Sequence, residues 1–282
     1  MNMKEKLESL GRNSIQLKIA RKETYKLGAT RFGGKPDVPP DFVWPTYEGE
    51  SYDHVVKDRP LTFLAQFNCE ELAQFDKEHL LPDHGLLSFF YETDTQCWGY
   101  DPKDQGCARV YWFEDMSALS AADFPADMEE DFKFPMVKIK VDSKYSYPSW
   151  EDFSEVFPDE KDDDAFNDAW EVMTGEDPED PDDRSQLLGW PDLIQNNMTL
   201  QCELVSRGHY LGGSWESVPL EERDQLRGPS TEKWRLLFQL DTVELGDFEL
   251  MFGDCGHIYF YITKEDLAAR RFDRIWLILQ CY

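Results

Sequence analysis

Leu61-Thr62-Phe63-Leu64-Ala65-Gln66-Phe67-Asn68 is an apolar run with a single amide inside it. Its length suits a buried strand, and Asn68 followed by Glu71 is a capping-box pattern that opens a helix over 69–75. A second run, Leu237-Phe238-Gln239-Leu240-Asp241, repeats the pattern around another glutamine. Two more pairs echo in the same order. Phe32-Gly33-Gly34-Lys35-Pro36-Asp37 matches Leu187-Leu188-Gly189-Trp190-Pro191-Asp192, and Asp83-His84-Gly85-Leu86 matches Asp254-Cys255-Gly256-His257. The offsets are 155, 173 and 171 residues. Shared order is harder to obtain by chance than shared words, although a competing register pairs Asn68–Ala73 with Thr263–Ala268. The expectation is an α+β, β-rich fold over residues 1–282, with short capping helices. Two similar β units from an internal duplication, about 14–145 and 187–282, pack into one body and are joined by an acidic insertion at about 149–184.

Working outward, residues 3–10 read as a helix closed by Gly11. Ile15, Leu17 and Ile19 alternate with polar neighbours, a strand period. Leu86–Tyr91 and Ala108–Phe113 read as buried strands. Met136–Val141 alternates with Lys138 and Lys140 and reads as an edge strand with one wet face. Thr199–Val205, Trp234–Leu240, Ile258–Ile262 and Arg274–Gln280 are the remaining strands, and Thr263 with Asp266 opens a helix through Ala269.

The net charge of −28 is concentrated: residues 151–183 hold sixteen Asp and Glu against the single base Lys161. This field repels phosphate backbones and anionic lipid and attracts cations over roughly 8 Å. Nucleic acid and membrane are therefore excluded as partners, and a basic protein is expected. Ser149 caps one helix, and Phe166, Ala169, Trp170 and Met173 form an apolar stripe on a second that stops at Gly175. Asp162, Asp163, Asp164, Asp177, Asp180 and Asp183 are the candidate partner-binding residues, the last three in a stretch, 176–183, that reads as a loop. No apolar run approaches the ~20 residues of a membrane span. The first residues lack the apolar centre of a secretory leader. Six cysteines without a C-x-x-C pair suit a cytoplasmic protein with reduced thiols, Cys202 and Cys281 in the core.

The order GGKPDVPPDFVWP, LTFLAQFN, LLPDHGLLSFFY, GWPDLIQ, LLFQLD and the closing GDCGHIYFYITKEDLAARRFDRIWLILQCY resembles the YwqG-like family over about Arg31 to Tyr282, the acidic insertion aside. The resemblance implies a soluble bacterial cytoplasmic protein with a β-rich α+β fold and an internal repeat. It brings no agreed activity and no catalytic residues. Some relatives belong with polymorphic toxin systems, which implies an immunity role.

Chemistry-bearing residues are few. Gly33-Gly34-Lys35 is not a phosphate loop, because Pro36 stands where Ser or Thr should hold Mg²⁺. Cys255, with His257 or His84 as base, is the alternative catalytic set of a Cys/His hydrolase, although Asp-x-Gly is also ordinary turn chemistry. Gln66 and Gln239 either line a cleft between the halves or bridge backbone groups inside the sheet. Trp44, Trp98, Trp190 and Trp215 lie beside Gly, Pro or Ser in loops, where they stack on ligands or plug the rim of a core. The aspartates lack the spacing of a Ca²⁺ loop, and no metal or cofactor is expected. The sequence thus points to a non-enzymatic protein-binding factor of immunity or adaptor type. The alternatives are the hydrolase and a small-ligand or glycan module.

Overall fold

The structure, a computed structural model, describes residues 1–22, 24–51, 54–175 and 184–282. Its ten-stranded antiparallel sheet is built from β1 (Arg12–Lys22), β2 (Arg31–Phe32), β3 (Thr62–Asn68), β4 (Leu86–Tyr91), β5 (Ala108–Phe113), β6 (Val137–Ser146), β7 (Gln186–Leu188), β8 (Trp234–Asp241), β9 (His257–Thr263) and β10 (Trp276–Gln280). The helices are α1 (Met3–Leu10), α2 (Cys69–Leu72), α3 (Trp150–Val156), α4 (Asp163–Thr174), α5 (Thr199–Ser206), α6 (Leu220–Lys233) and α7 (Lys264–Ala268). The fold is α+β and β-rich.

Strand order is β10-β9-β8-β7-β1-β6-β2-β3-β4-β5. Read from either end, three long strands lead to a short one and then to a long central strand. β1 pairs with β7 of the second half, while β6 pairs with β2, both in the first. The two wings face each other across a core of rings. Phe89 lies 4.7 Å from Phe238 and 5.3 Å from Phe260, and Phe67 lies 5.4 Å from Phe238. On the far side of the second wing, α5 and its neighbours bury Leu200, Cys202 and Leu204 against Tyr259, Tyr261 and Ile278. On the far side of the first, Phe42 and Trp44 cover Leu61, Phe63 and Phe90.

The echoed segments repeat individual hydrogen bonds. Asp37 N donates to Gln66 Oε1 at 3.1 Å, and Asp192 N donates to Gln239 Oε1 at 3.0 Å. Gln66 Nε2 donates to Ala29 O, and Gln239 Nε2 to Arg184 O. Asn68 N donates to Thr30 Oγ1, and Asp241 N to Ser185 Oγ, both at 3.0 Å. Arg31 and Gln186 each reach the carbonyl four residues on, at Lys35 and Trp190. The two turns share a left-handed backbone, with φ of +60° and +73° at Gly33 and Gly34 and +61° and +78° at Leu188 and Gly189. A Cβ at Gly33 would run into the Pro135 carbonyl, so that turn requires glycine; the second has room for Leu188.

Three expectations are corrected. Thr199–Val205 is the helix α5, not a strand. Every residue from Thr199 to Val205 is buried and only the terminal Ser206 is exposed, so no polar stripe reveals a helical period. The Val137 strand is not an edge: it continues to Ser146 and lies between β1 and β2. Its lysines alternate outward because an antiparallel sheet can keep one face wet even at its centre. The helix after Asn68 stops at Leu72. Helix α6 has no counterpart in the sequence reading, since Gly228 and Pro229 inside it read as breakers.

Candidate functional site

The acidic insertion forms a helical lobe. Ser149 Oγ accepts from Asp152 N at the start of α3, Asp162 caps α4, and Gly175 closes α4 in the left-handed region. Phe166 packs with Phe153 and Leu7, and Ala169, Trp170 and Met173 lie against the same cluster. The stripe read from the sequence therefore anchors the lobe on α1. Part of the lobe's charge is met internally: Glu160 pairs with Lys6, and Glu155 with Arg227 at 2.6 Å. Asp162, Asp163 and Asp164 are exposed at the start of α4. Asp177, Asp180 and Asp183 lie outside the described residues, as does the whole loop expected at 176–183.

Between the lobe and the sheet lies a cavity of about 580 Å³. Phe166, Trp170 and Met173 of α4 and Trp150 of α3 form one side. Lys144, Ser146, Gln16 and Gln186 come from the central strands, and Arg184, Trp190 and Asp192 from the second left-handed turn and its approach. Trp190 is held by its own Nε1, which donates to Leu10 O at 2.6 Å, and the Arg12 guanidinium stacks 3.3 Å from its ring.

Asp192, which lines this cavity, meets His257 behind it. Register places His257 on β9 opposite Asp241 on β8. His257 Nε2 is 3.3 Å from Asp192 Oδ2, and Nδ1 is 3.0 Å from Asp241 Oδ1. The second contact is an ion pair lying off the ring N–H direction rather than a well-formed hydrogen bond. Burial alone would lower the pKa of this imidazole. The two carboxylates outweigh it and lift the value from the usual 6.5 to about 9. His257 is thus a cation at neutral pH. Arg184 Nε approaches Asp192 Oδ2 at 3.5 Å, and Tyr259 Oη donates to Asp192 O at 2.6 Å.

The first half handles the same carboxylate differently. Asp37 is fully buried against Arg31, with Nη1 2.8 Å from Oδ2, and it also accepts from Gly28 N and Gln66 Nε2. Burial raises its pKa, but Arg31 and these donors overcome that and hold it below the usual carboxylate range.

The predicted residues are distributed unevenly over this geometry. Gln66 and Gln239 are engaged by backbone groups within the sheet, and neither borders the cavity. Of the four loop tryptophans only Trp190 borders it. Trp44 donates to Leu61 O at 2.8 Å beneath the first wing, Trp215 packs by the α5 core, and Trp98 stands 41% exposed elsewhere. Cys255 is exposed at its turn, while His257 faces the two aspartates; a protonated imidazole has no lone pair to take a thiol proton. His84 pairs with Asp83 at 2.6 Å on the other wing. Trp150 and Trp170 were missed as cavity residues, although the stripe that carries Trp170 was legible. Among the described residues no group of three or more His, Cys, Asp or Glu is placed to hold a metal ion, and no helix is long and apolar enough to cross a membrane.

A family model described as a domain of unknown function, DUF1963, matches residues 30–281. The chain therefore belongs to the DUF1963 family, and the narrower YwqG-like resemblance is compatible with that membership. No curated protein is significantly similar to the chain.

Proposed function

We propose that this chain is a non-enzymatic binding protein whose ligand seat is the cavity beneath the acidic lobe. One observation carries the reading: three tryptophans, Trp150, Trp170 and Trp190, frame a hollow of about 580 Å³ whose other walls offer amide, hydroxyl and charged groups. Apolar ring faces with a few polar groups are the usual make-up of a small-ligand pocket. The match is to a small polar molecule with a flat ring or sugar face. Arg184 and Asp192 supply charge in the cavity wall, and the protonated His257 behind Asp192 offers no base, which favours binding over the hydrolase. The repeated hydrogen bonds support descent of the two halves from one duplicated unit.

Intrinsic tryptophan fluorescence, titrated with a panel of monosaccharides, nucleosides and aromatic amino acids, tests the seat. A saturable shift with at least one compound is expected, lost in Trp170→Ala. No shift with any compound at millimolar concentration would remove the reading.

A second reading keeps the acidic face as a dock for a basic protein of adaptor or immunity type. It is favoured by the rigid anchoring of α4, which presents Asp162, Asp163 and Asp164 from a packed helix. Steered association of this kind is salt-sensitive. Equal partner recovery by wild type and by a triple Asp→Asn variant, at low and high salt, would reject it.

A further inference from the structure

Between β4 and β5 the chain leaves the first wing and straps it to the second. Leu279 N donates to Trp98 O at 3.1 Å, Trp276 Nε1 to Gly99 O at 2.9 Å, and Leu211 N to Tyr100 O at 2.8 Å. Just before the strap, Gln96 is clamped at both ends of its amide: Nε2 donates to Met251 O at 3.0 Å, and Oε1 accepts from Gly253 N at 2.9 Å. A Cβ on Gly99 would collide with the Leu277 carbonyl, so the strap lies as close to β10 as backbone allows.

Against this strap lies an open hollow of about 620 Å³. Four rings border it. Trp98 and Tyr100 come from the strap, their centroids 6.4 Å apart; Tyr210 comes from the turn after α5, and Tyr47 from the hairpin of Thr46–Glu50 and Val56–Pro60. Trp98 and Tyr210 are exposed, and Tyr47 and Tyr100 are half-buried. Tyr47 Oη donates to Lys103 O at 3.3 Å, which joins the hairpin to the strap. The same wall includes Glu50, Asp101 and Asp104. Asp101 Oδ1 accepts from Lys103 N at 2.9 Å, and Asp104 Oδ2 accepts from Gly99 N at 2.9 Å and Asp101 N at 3.3 Å, so backbone donors fix both aspartates in place. Among the described residues that border the hollow none is a lysine, arginine or histidine. Lys103, and His54 at 3.3 Å from Glu50, neighbour these acids without bordering it.

We propose that this hollow binds a small quaternary ammonium ion, with its N-methyl groups among the four rings and its charge balanced by Glu50, Asp101 and Asp104. A quaternary ammonium has no N–H to donate. It is drawn to the negative faces of aromatic rings and to nearby carboxylates, which is what this wall offers. A metal ion would instead need several converging oxygens, and among the described residues no group of three or more His, Cys, Asp or Glu is placed to supply them. Burial raises the Asp104 pKa, and a cation in the hollow works against that rise. The hollow shares no bordering residue with the cavity beneath the acidic lobe, so the two sites stand independently.

Calorimetric titration of the full chain with choline chloride tests the site, beside its uncharged isostere 3,3-dimethylbutan-1-ol. Choline should bind saturably at one site per chain, and the alcohol should not. Trp98→Ala removes an exposed ring and should weaken choline binding about tenfold. Asp101→Asn with Asp104→Asn keeps the acceptor oxygens for the backbone and removes two charges; it should weaken binding and flatten its salt dependence. Trp170→Ala, in the other cavity, should leave choline binding unchanged. Phosphatidylcholine vesicles in a sedimentation assay distinguish a lipid headgroup from a free compound as the source of the ammonium group. Co-sedimentation or its absence, with free choline bound, supports the site in either form. Absence of saturable heat with choline, equal binding of the alcohol, or full binding by both the Trp98 and the double Asp variants would overturn the proposal.

Discussion

The two halves of the sheet hold the same turn with the same glutamine, yet they neutralise its aspartate in opposite ways. In the first half Arg31 lies on β2 opposite Gln66 and closes on Asp37 in a fully buried pair. In the second, Gln186 occupies the matching place opposite Gln239, and Arg184, just before that strand, approaches Asp192 only at 3.5 Å. A further cation comes from a different strand: His257 takes the place that Leu86 holds in the first half, and Asp241 the place of Asn68. A guanidinium stays charged at every accessible pH, whereas an imidazolium does not. One half has become a sealed clasp. The other keeps both carboxylates more than a quarter exposed, with Asp192 in the wall of the cavity. Two turns can share their geometry while the chemistry around each aspartate differs.

Breaking the clasp should have the largest effect. Arg31→Met leaves Asp37 buried with no cation, and removal of one partner of a buried pair costs about 3–5 kcal/mol. Urea unfolding of the variant should show that loss. A change below about 1 kcal/mol would mean that water reaches Asp37 and that the halves differ less than their geometry indicates.

The pH dependence separates the second half from the lobe beside it. The fold favours protonated His257, so its contribution, about 3 kcal/mol, is complete below pH 6.5 and is lost as the pH climbs through about 9. Burial lifts Asp152 from 3.8 to about 7, against the opposing pull of Arg12 and Asn197. The fold therefore favours its neutral form. That contribution, about 4 kcal/mol, is complete below pH 3.8 and gone above about 7. Stability measured by denaturant across pH 4 to 9 should fall in two stages. His257→Leu should flatten the upper stage and Asp152→Asn the lower. A single variant that flattens both would show that the two groups titrate as one system.

How much of this was readable beforehand depends on which residues carried the signal. The strands around Gln66 and Gln239 were legible because a polar residue in an apolar run is rare and occurred twice in matching context. The lobe's anchoring was legible because Phe166, Ala169, Trp170 and Met173 keep a helical period. Helix α5 was not, since burial on all sides erases periodicity. The Asp192–His257–Asp241 cluster was not either. Along the chain His257 stands near Cys255, whereas strand register sets it opposite Asp241 on β8.

Replacing the glutamines compares the halves at the bond they share. Gln66→Leu removes partners from Asp37 N, Ala29 O and the Asp37 carboxylate; Gln239→Leu removes them from Asp192 N and Arg184 O. Each unsatisfied buried group costs about 1–3 kcal/mol, so the first variant should lose more than the second. The reverse ranking in thermal unfolding would place the more sealed environment in the second half.

The smallest effect should come from the lobe's outer face, which covers the second half's turn and has no counterpart on the first. Asp162→Asn, Asp163→Asn and Asp164→Asn together preserve the cap at α4, because asparagine offers the same acceptor oxygen to Ala165 N. These side chains are exposed, and the packing that holds α4 lies on its opposite face, at Phe166 and Trp170. Stability should stay within about 0.5 kcal/mol of wild type. A gain beyond that would show that the crowded carboxylates strain the lobe against the sheet. A loss would show that they are held by contacts with the sheet's second half, so that the acidic face and the cavity beneath it act as one unit.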